Sequence, residues 1–336
     1  MIKDAYAIVD LQYGSTGKGL LAGYLAAKRE PDGVVCAFGP NAGHTFIDAE
    51  NNRWVHVMMP MAAVCGAKKV FYGPGTILHP EILMVELEAI NRKGHQPEIF
   101  IHENCVVVQE RHREQEAAYG ARIGSTMKGT GAAMAERLLR QNVGERIVAR
   151  DVLRNTPLEA LVVDVDTYND ALDSVQLLQI EGAQGFSLSM YHGFYPYTTS
   201  RDCTIAQLLA DCAVPFSNMS IEVWGTCRTF PIRVNNRGYS SGPAYPDQEE
   251  ITWESLGMQP ELTTVTKLPR RIFTFSEKQI AEAIRMNGVD HVFLNFCNYI
   301  KEPGGVGKII ESIEKHAPVS LTGWGPAITN VDTNPF

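Results

Sequence analysis

None of the seven cysteines, at positions 36, 65, 105, 203, 212, 227 and 297, stands in a C-x-x-C pair. That spacing excludes a zinc ribbon, and the odd number argues against a disulfide framework, so reduced thiols in a cytosol are expected. No apolar run approaches the roughly 20 residues that a membrane-spanning helix needs. The start, MIKDAYAIVD, lacks a basic segment followed by a long apolar stretch, and a soluble, intracellular protein is expected. Positive charge is also scarce: 30 Lys and Arg face 38 Asp and Glu, for a formal net charge of −8. This excludes a general nucleic-acid scaffold and leaves room only for a local basic pocket. Internal repeats, low-complexity tracts and flexible linkers are absent. With 336 residues, 45% of them apolar, the chain can bury a large core. A single compact domain over residues 1–336 is therefore expected.

What is present centres on residues 5–20, AYAIVDLQYGSTGKGL. Ala5 to Val9 reads as a buried strand. Gly14-Ser15-Thr16-Gly17-Lys18-Gly19 follows, and Leu20, Leu21, Tyr24 and Leu25 then share one helical face. Strand, glycine turn and helix start form a phosphate cradle: the backbone can approach an anion, amides point at it, and a lysine adds charge. The spacing is not that of a Walker A loop, which needs G-x-x-x-x-G-K-[ST]. Further strands are expected at 34–38, 54–59, 69–72, 98–102, 175–180 and 289–294. Helices are expected from Pro80 to Lys93, from Ala132 to Gln141, and after a Ser276/Gln279 capping box up to Gly288. Strands alternating with helices predict an α/β fold with a large, mainly parallel central sheet flanked by helices.

Residues 39–45 read Gly-Pro-Asn-Ala-Gly-His-Thr. GSTGKG together with NAGHT resembles the adenylosuccinate synthetase family, whose members carry G-D-E-G-K-G and N-A-G-H-T at this separation. The resemblance continues through most of the chain. It implies an enzyme that joins aspartate to C6 of a purine nucleoside monophosphate after a nucleoside triphosphate has phosphorylated the 6-oxygen. It implies Mg2+ as cofactor, with Ser15 and the Gly43 carbonyl at the metal. Gly14, Ser15, Thr16, Gly17, Lys18, Gly19, Gly43, His44 and Thr45 would hold the transferring phosphate. His44 would give a hydrogen bond or proton to the 6-oxygen, a task suited to a group that titrates near physiological pH. Asn41, Ser125, Thr126, Gln184 and Thr199 match positions that bind the monophosphate. Arg140 matches an arginine that reaches the neighbouring subunit's substrate, with Arg137 as competitor, which implies a homodimer. Thr264, Val265, Thr266 and Arg270 lie in a stretch, TVTKLPRR, similar to the aspartate loop of the short, archaeal-type members. Gly323 and Pro326 would lie on the donor-nucleotide side.

The departures from the pattern carry most information. Ser15 replaces the family's catalytic aspartate with a small neutral hydroxyl, which leaves room for a 2-amino group. Leu268 replaces an arginine near the ribose, which suits a deoxy sugar. Asn295-Phe296-Cys297-Asn298 replaces a guanine-reading T-K-x-D motif. Asn298 offers both a donor and an acceptor, as adenine's edge requires, and Phe296 offers a stacking surface. Together these features resemble a phage branch of the family that makes 2-aminoadenylosuccinate derivatives. The resemblance then implies dGMP, L-aspartate and ATP or dATP as substrates. Two alternatives stay open at this level: an IMP-using enzyme in which Asp10 supplies the missing base, and an inactive nucleotide-binding protein.

Overall fold

The computed structural model describes residues 2–123, 125–140, 146–216, 219–236, 238–263 and 267–333. A ten-stranded sheet forms the centre. Its strands in chain order are β1 (Asp4–Asp10), β2 (Gly33–Cys36), β3 (Lys69–Tyr72), β4 (Glu98–His102), β5 (Val162–Val163), β6 (Leu177–Glu181), β7 (Ser220–Arg228), β8 (His291–Asn295), β9 (Val319–Gly323) and β10 (Val331–Asp332). They lie in the order β10-β9-β8-β7-β1-β6-β2-β3-β4-β5, all parallel except β9 with β10. The mainly parallel α/β sheet expected from the sequence is thus present.

β1 is central and buried on both faces. Tyr6 and Ile8 enter the apolar cluster that contains helix α1 (Lys18–Arg29). Ala5 and Ala7 enter the cluster on the opposite face with Val35, Phe71 and Leu178. Side chains alternate across a strand, so one apolar run feeds two cores. The carboxyl ends of β1, β2, β6, β7 and β8 open toward one edge of the sheet, where parallel α/β sheets bind ligands.

Most expected elements end within a few residues of their predicted limits. Helix α2 runs Pro80–Arg92 with proline in its first turn. The strand expected at 54–59 stops at His56, because the amides of Val57, Met58 and Met59 bind the buried Glu86 carboxylate at 2.6, 2.9 and 2.8 Å rather than a neighbouring strand. Ser276 does cap helix Glu277–Asn287, accepting from the Gln279 amide at 3.0 Å. The Gln279 side chain instead donates to Ser187 Oγ at 2.7 Å, so only one arm of the predicted capping box forms. Among the described residues no helix is long and apolar enough to cross a membrane.

Candidate active site

The loop of residues 14–19, expected to cradle phosphate, is held by Asp10 at the end of β1. Its Oδ1 accepts from the amides of Gln12 (2.8 Å) and Gly14 (3.1 Å). Its Oδ2 accepts from Lys18 Nζ (2.9 Å) and from the Thr16 hydroxyl, which also meets Thr226 Oγ1 at 2.5 Å. Lys18 further donates to the carbonyls of Gly14 (3.0 Å) and Gln184 (2.7 Å). Both oxygens of Asp10 are therefore committed, which argues against this residue as a replacement base.

Gly17 caps α1 at φ 96°. A Cβ there would stand 2.1 Å from Asn295 Nδ2, and the positive φ itself favours glycine, so the Asn295 side chain can lie against the loop. Asn295 Nδ2 uses that proximity to donate to the Thr16 carbonyl at 3.2 Å. At Gly19 a Cβ would lie 2.7 Å from the Thr45 carbonyl oxygen. This close approach seats the hairpin His44–Ile47/Arg53–His56 directly on α1.

The hairpin delivers His44. Its ring stacks on Phe38 with centroids 4.3 Å apart, and its buried Nε2 has no partner. Burial, reinforced by the charge of Lys18 and by His56, lowers the His44 pKa to about 3. The expectation of titration near physiological pH is corrected here: burial holds His44 neutral, an N–H donor rather than an imidazolium. His56, its cross-strand partner, is pushed to about 4, chiefly by burial.

Other segments converge on the same edge. A Cβ on Gly14 would touch the Gln184 backbone at 3.4 Å, and Gln184 itself sits at φ 64°. The Thr199 amide donates to the Leu188 carbonyl at 2.7 Å, keeping that segment beside the loop. Asn41 is half-buried, and helix α3 (Glu110–Ile123) is followed by the turn carrying Ser125 and Thr126. Thr130, at the start of helix α4 (Thr130–Leu139), abuts Gly39 and brings that turn toward Asn41. The Ser125 hydroxyl donates to Glu116 at 2.6 Å, so it serves the turn. Gly43 and Thr45 are exposed beside His44.

At the end of β8, Phe296 adopts φ 60° and one ring face is covered by the Arg228 guanidinium at 3.8 Å. Asn298 and Pro326 are exposed, while Gly323 is buried against Asn295. Trp324, 40% exposed beside Gly323, escaped the sequence reading. Arg270 is half-buried and donates from Nε to the Leu262 carbonyl at 3.3 Å. Thr264, Val265 and Thr266 lie outside the described residues.

A sequence model described as adenylosuccinate synthetase matches residues 7–162 and 147–303. The chain belongs to the adenylosuccinate synthetase family. It is accordingly an enzyme of the carbon–nitrogen ligase type. Within the family it is 45% identical to N6-succino-2-amino-2′-deoxyadenylate synthase of Cyanophage S-2L, over 99% of this chain and 94% of that protein. It is 44% identical to the protein of the same name from Vibrio phage phiVC8, covering 98% of each. Adenylosuccinate synthetase of Thermococcus onnurineus is 30% identical, with 97% of each covered. The solved structure of the Cyanophage S-2L succinoaminodeoxyadenylate synthetase, bound to dGMP and dATP as an energy donor, superposes with a TM-score of 0.94 at 44% identity. That match covers 100% of this chain and 97% of the other. The Plasmodium falciparum adenylosuccinate synthetase shares the fold, at TM-score 0.78 and 18% identity over 98% and 99% of the two chains.

Within this synthetase fold, the structure brings together the loop 14–19, His44, Gln184, Thr199 and the Asn295–Phe296 corner. Thr226 and Arg228, which motif reading had not assigned, contact these elements, Glu261 pairs with Arg228, and Asp10, weighed above as a replacement base, holds the loop. Arg228 left one trace in sequence, a lone charge at the end of the uncharged run Val223–Cys227. Among the described residues no three His, Cys, Asp or Glu side chains gather as a metal site. The exposed Gly43 carbonyl and the Ser15 hydroxyl are hard oxygen donors. They fit a magnesium ion held mainly by substrate phosphates and water, the usual arrangement for this metal at nucleotides.

Proposed function

We propose that the enzyme condenses L-aspartate with dGMP at C6, driven by ATP or dATP, giving N6-succino-2-amino-2′-deoxyadenylate, the nucleoside diphosphate and phosphate. The γ-phosphoryl group passes to the guanine 6-oxygen. The aspartate amine then attacks C6, the C6–O6 bond breaks, and the 6-oxygen leaves on inorganic phosphate. The reading rests on the chain-long 44% identity to the synthetase solved with dGMP and dATP. The neutral Ser15, in place of the family's carboxylate, agrees with a purine that carries a 2-amino group.

In this reading Lys18 and the amides of residues 14–19 neutralise the transferring phosphoryl group, and neutral His44 donates its Nε2 proton in a hydrogen bond to the 6-oxygen. Bound magnesium would offset charge between the donor phosphates and the reacting oxygen. Asn41, Thr126, Gln184 and Thr199 hold the monophosphate, and Arg270 with the 264–266 segment holds aspartate. Phe296 stacks on the donor base and Asn298 reads its edge. The chain acts as one domain built on its continuous sheet, in the host cytoplasm when phage-encoded.

A homodimer completes the site. Arg137 donates to the carbonyls of Pro74 (2.8 Å) and Asn104 (3.0 Å) of its own chain. Arg140 is exposed at the end of α4 beside the exposed Leu138 and Leu139. These features favour Arg140 as the residue that crosses to the neighbouring subunit.

The test is a coupled assay of the purified protein with aspartate and ATP, offering dGMP or IMP. A clear preference for dGMP is expected. Preference for IMP overturns the substrate assignment, and nucleotide binding without succinyl product overturns the activity.

A further inference from the structure

Arg228 is 1% exposed, yet no part of the chemistry above needs it. Its side-chain contacts reach the glycine loop, the Phe296 corner and Glu261. One guanidinium nitrogen donates to the Ser15 carbonyl of the phosphate loop at 3.1 Å. The other donates to Glu261 Oε1 at 2.7 Å. Its flat face covers the Phe296 ring at 3.8 Å. Glu261 is the matching half. The same Oε1 accepts from the Tyr299 hydroxyl at 3.1 Å, and the Glu261 carbonyl accepts from the Arg270 amide at 2.8 Å. Trp253 Nε1 braces the other side of that residue by donating to the Arg270 carbonyl at 2.7 Å. Thr229, next to Arg228, donates to the Phe296 carbonyl at 2.8 Å.

We propose that the Arg228–Glu261 pair is a positioning unit that couples the donor-base pocket at Phe296 and Tyr299 to the aspartate arginine Arg270. A base stacked on the Phe296 face opposite Arg228 presses that ring onto the guanidinium. The planar fork of Arg228 is bound at both ends, so it cannot shift without moving Glu261. Glu261 carries the Arg270 backbone with it. Donor occupancy thereby sets the placement of Arg270, and by thermodynamic reciprocity bound aspartate strengthens donor binding. This inference rests on the assignment of Arg270 to aspartate and of Phe296 to the donor base.

The experiment measures the aspartate KM at several ATP concentrations, with dGMP saturating, in wild type, Glu261→Gln and Tyr299→Phe. In wild type the aspartate KM falls as ATP rises. In Glu261→Gln the amide oxygen can still accept from Arg228 but the carboxylate charge that fixes the pair is gone, and aspartate KM rises about tenfold and loses most of its dependence on ATP. The dGMP KM is unchanged and kcat stays within about twofold in the same variant. Tyr299→Phe removes only a hydroxyl, keeps the thermal midpoint, and gives a smaller rise in the same direction. An unchanged aspartate KM overturns the coupling, as does a parallel rise in all three KM values, which marks general loosening. Wild type that makes no succinyl product from dGMP overturns the underlying functional reading. A productive wild type whose variants keep the ATP dependence overturns the coupling alone.

Discussion

Replacing Asp10 with asparagine separates a structural carboxylate from a catalytic base. The Asp10 and Lys18 side chains are 0% and 5% exposed and 2.9 Å apart. In Asp10→Asn the retained carbonyl oxygen can still accept from the amides of Gln12 and Gly14. The new NH2 group replaces the oxygen that faced Lys18 and Thr16, so a donor now points at a buried ammonium. Lys18 keeps only carbonyl partners, those of Gly14 and Gln184. Breaking a buried ion pair by neutralising one side costs about 3–5 kcal/mol. Equilibrium urea denaturation measures it, with Lys18→Met and the double variant completing a cycle. The double variant should be more stable than the sum of the two single losses implies, because no charge is left stranded. If Asp10→Asn keeps wild-type stability within about 1 kcal/mol while turnover vanishes, Asp10 is the base and the structural account fails.

Four further outcomes are expected. Ser15→Asp should depress dGMP turnover, because the carboxylate crowds the 2-amino group; unchanged steady-state rates with dGMP would remove that argument. His44→Ala should lower kcat by about a hundredfold or more at saturating substrates, and wild-type turnover would show that its N–H is not aimed at the reacting oxygen. Acid stability should depend on His56. Its folded pKa of about 4 lies below its unfolded value, so the unfolded chain binds the extra proton and stability falls as pH drops from about 6.5 toward 4. His56→Gln should remove up to about 1.4 kcal/mol per pH unit of that slope; parallel curves of unfolding free energy against pH would contradict it. Gly19→Ala should impair activity, because its Cβ meets the Thr45 backbone oxygen at 2.7 Å and the hairpin carrying His44 must move; full activity would show that the seam has slack.

The family and the strand–glycine loop–helix unit at residues 4–29 were legible because their signals are local. An apolar β-prone run, glycines before a helix start, and a histidine between glycine and threonine each act within a few residues of chain. Helix ends were readable for the same reason at Pro80 and Ser276. The second arm of the capping box was not, because Gln279 found a better-buried partner in Ser187. Nor was the end of the second hairpin strand, where a distant carboxylate, Glu86, competes for the backbone amides.

Spacing and residue type thus carried the α/β architecture, the glycine loop between β1 and α1 and the departures at Ser15, Leu268 and Asn298. Folding decided the protonation of His44, since a histidine's charge depends on burial and on Lys18 brought close to it. It also decided the assignment of Asp10, whose oxygens are spent on Lys18, Thr16 and the loop amides. The Arg228 link joins residues 213 positions apart at Ser15 and 33 apart at Glu261. Such contacts arise only when strands distant in sequence become neighbours in one sheet, and no local pattern encodes that neighbourhood.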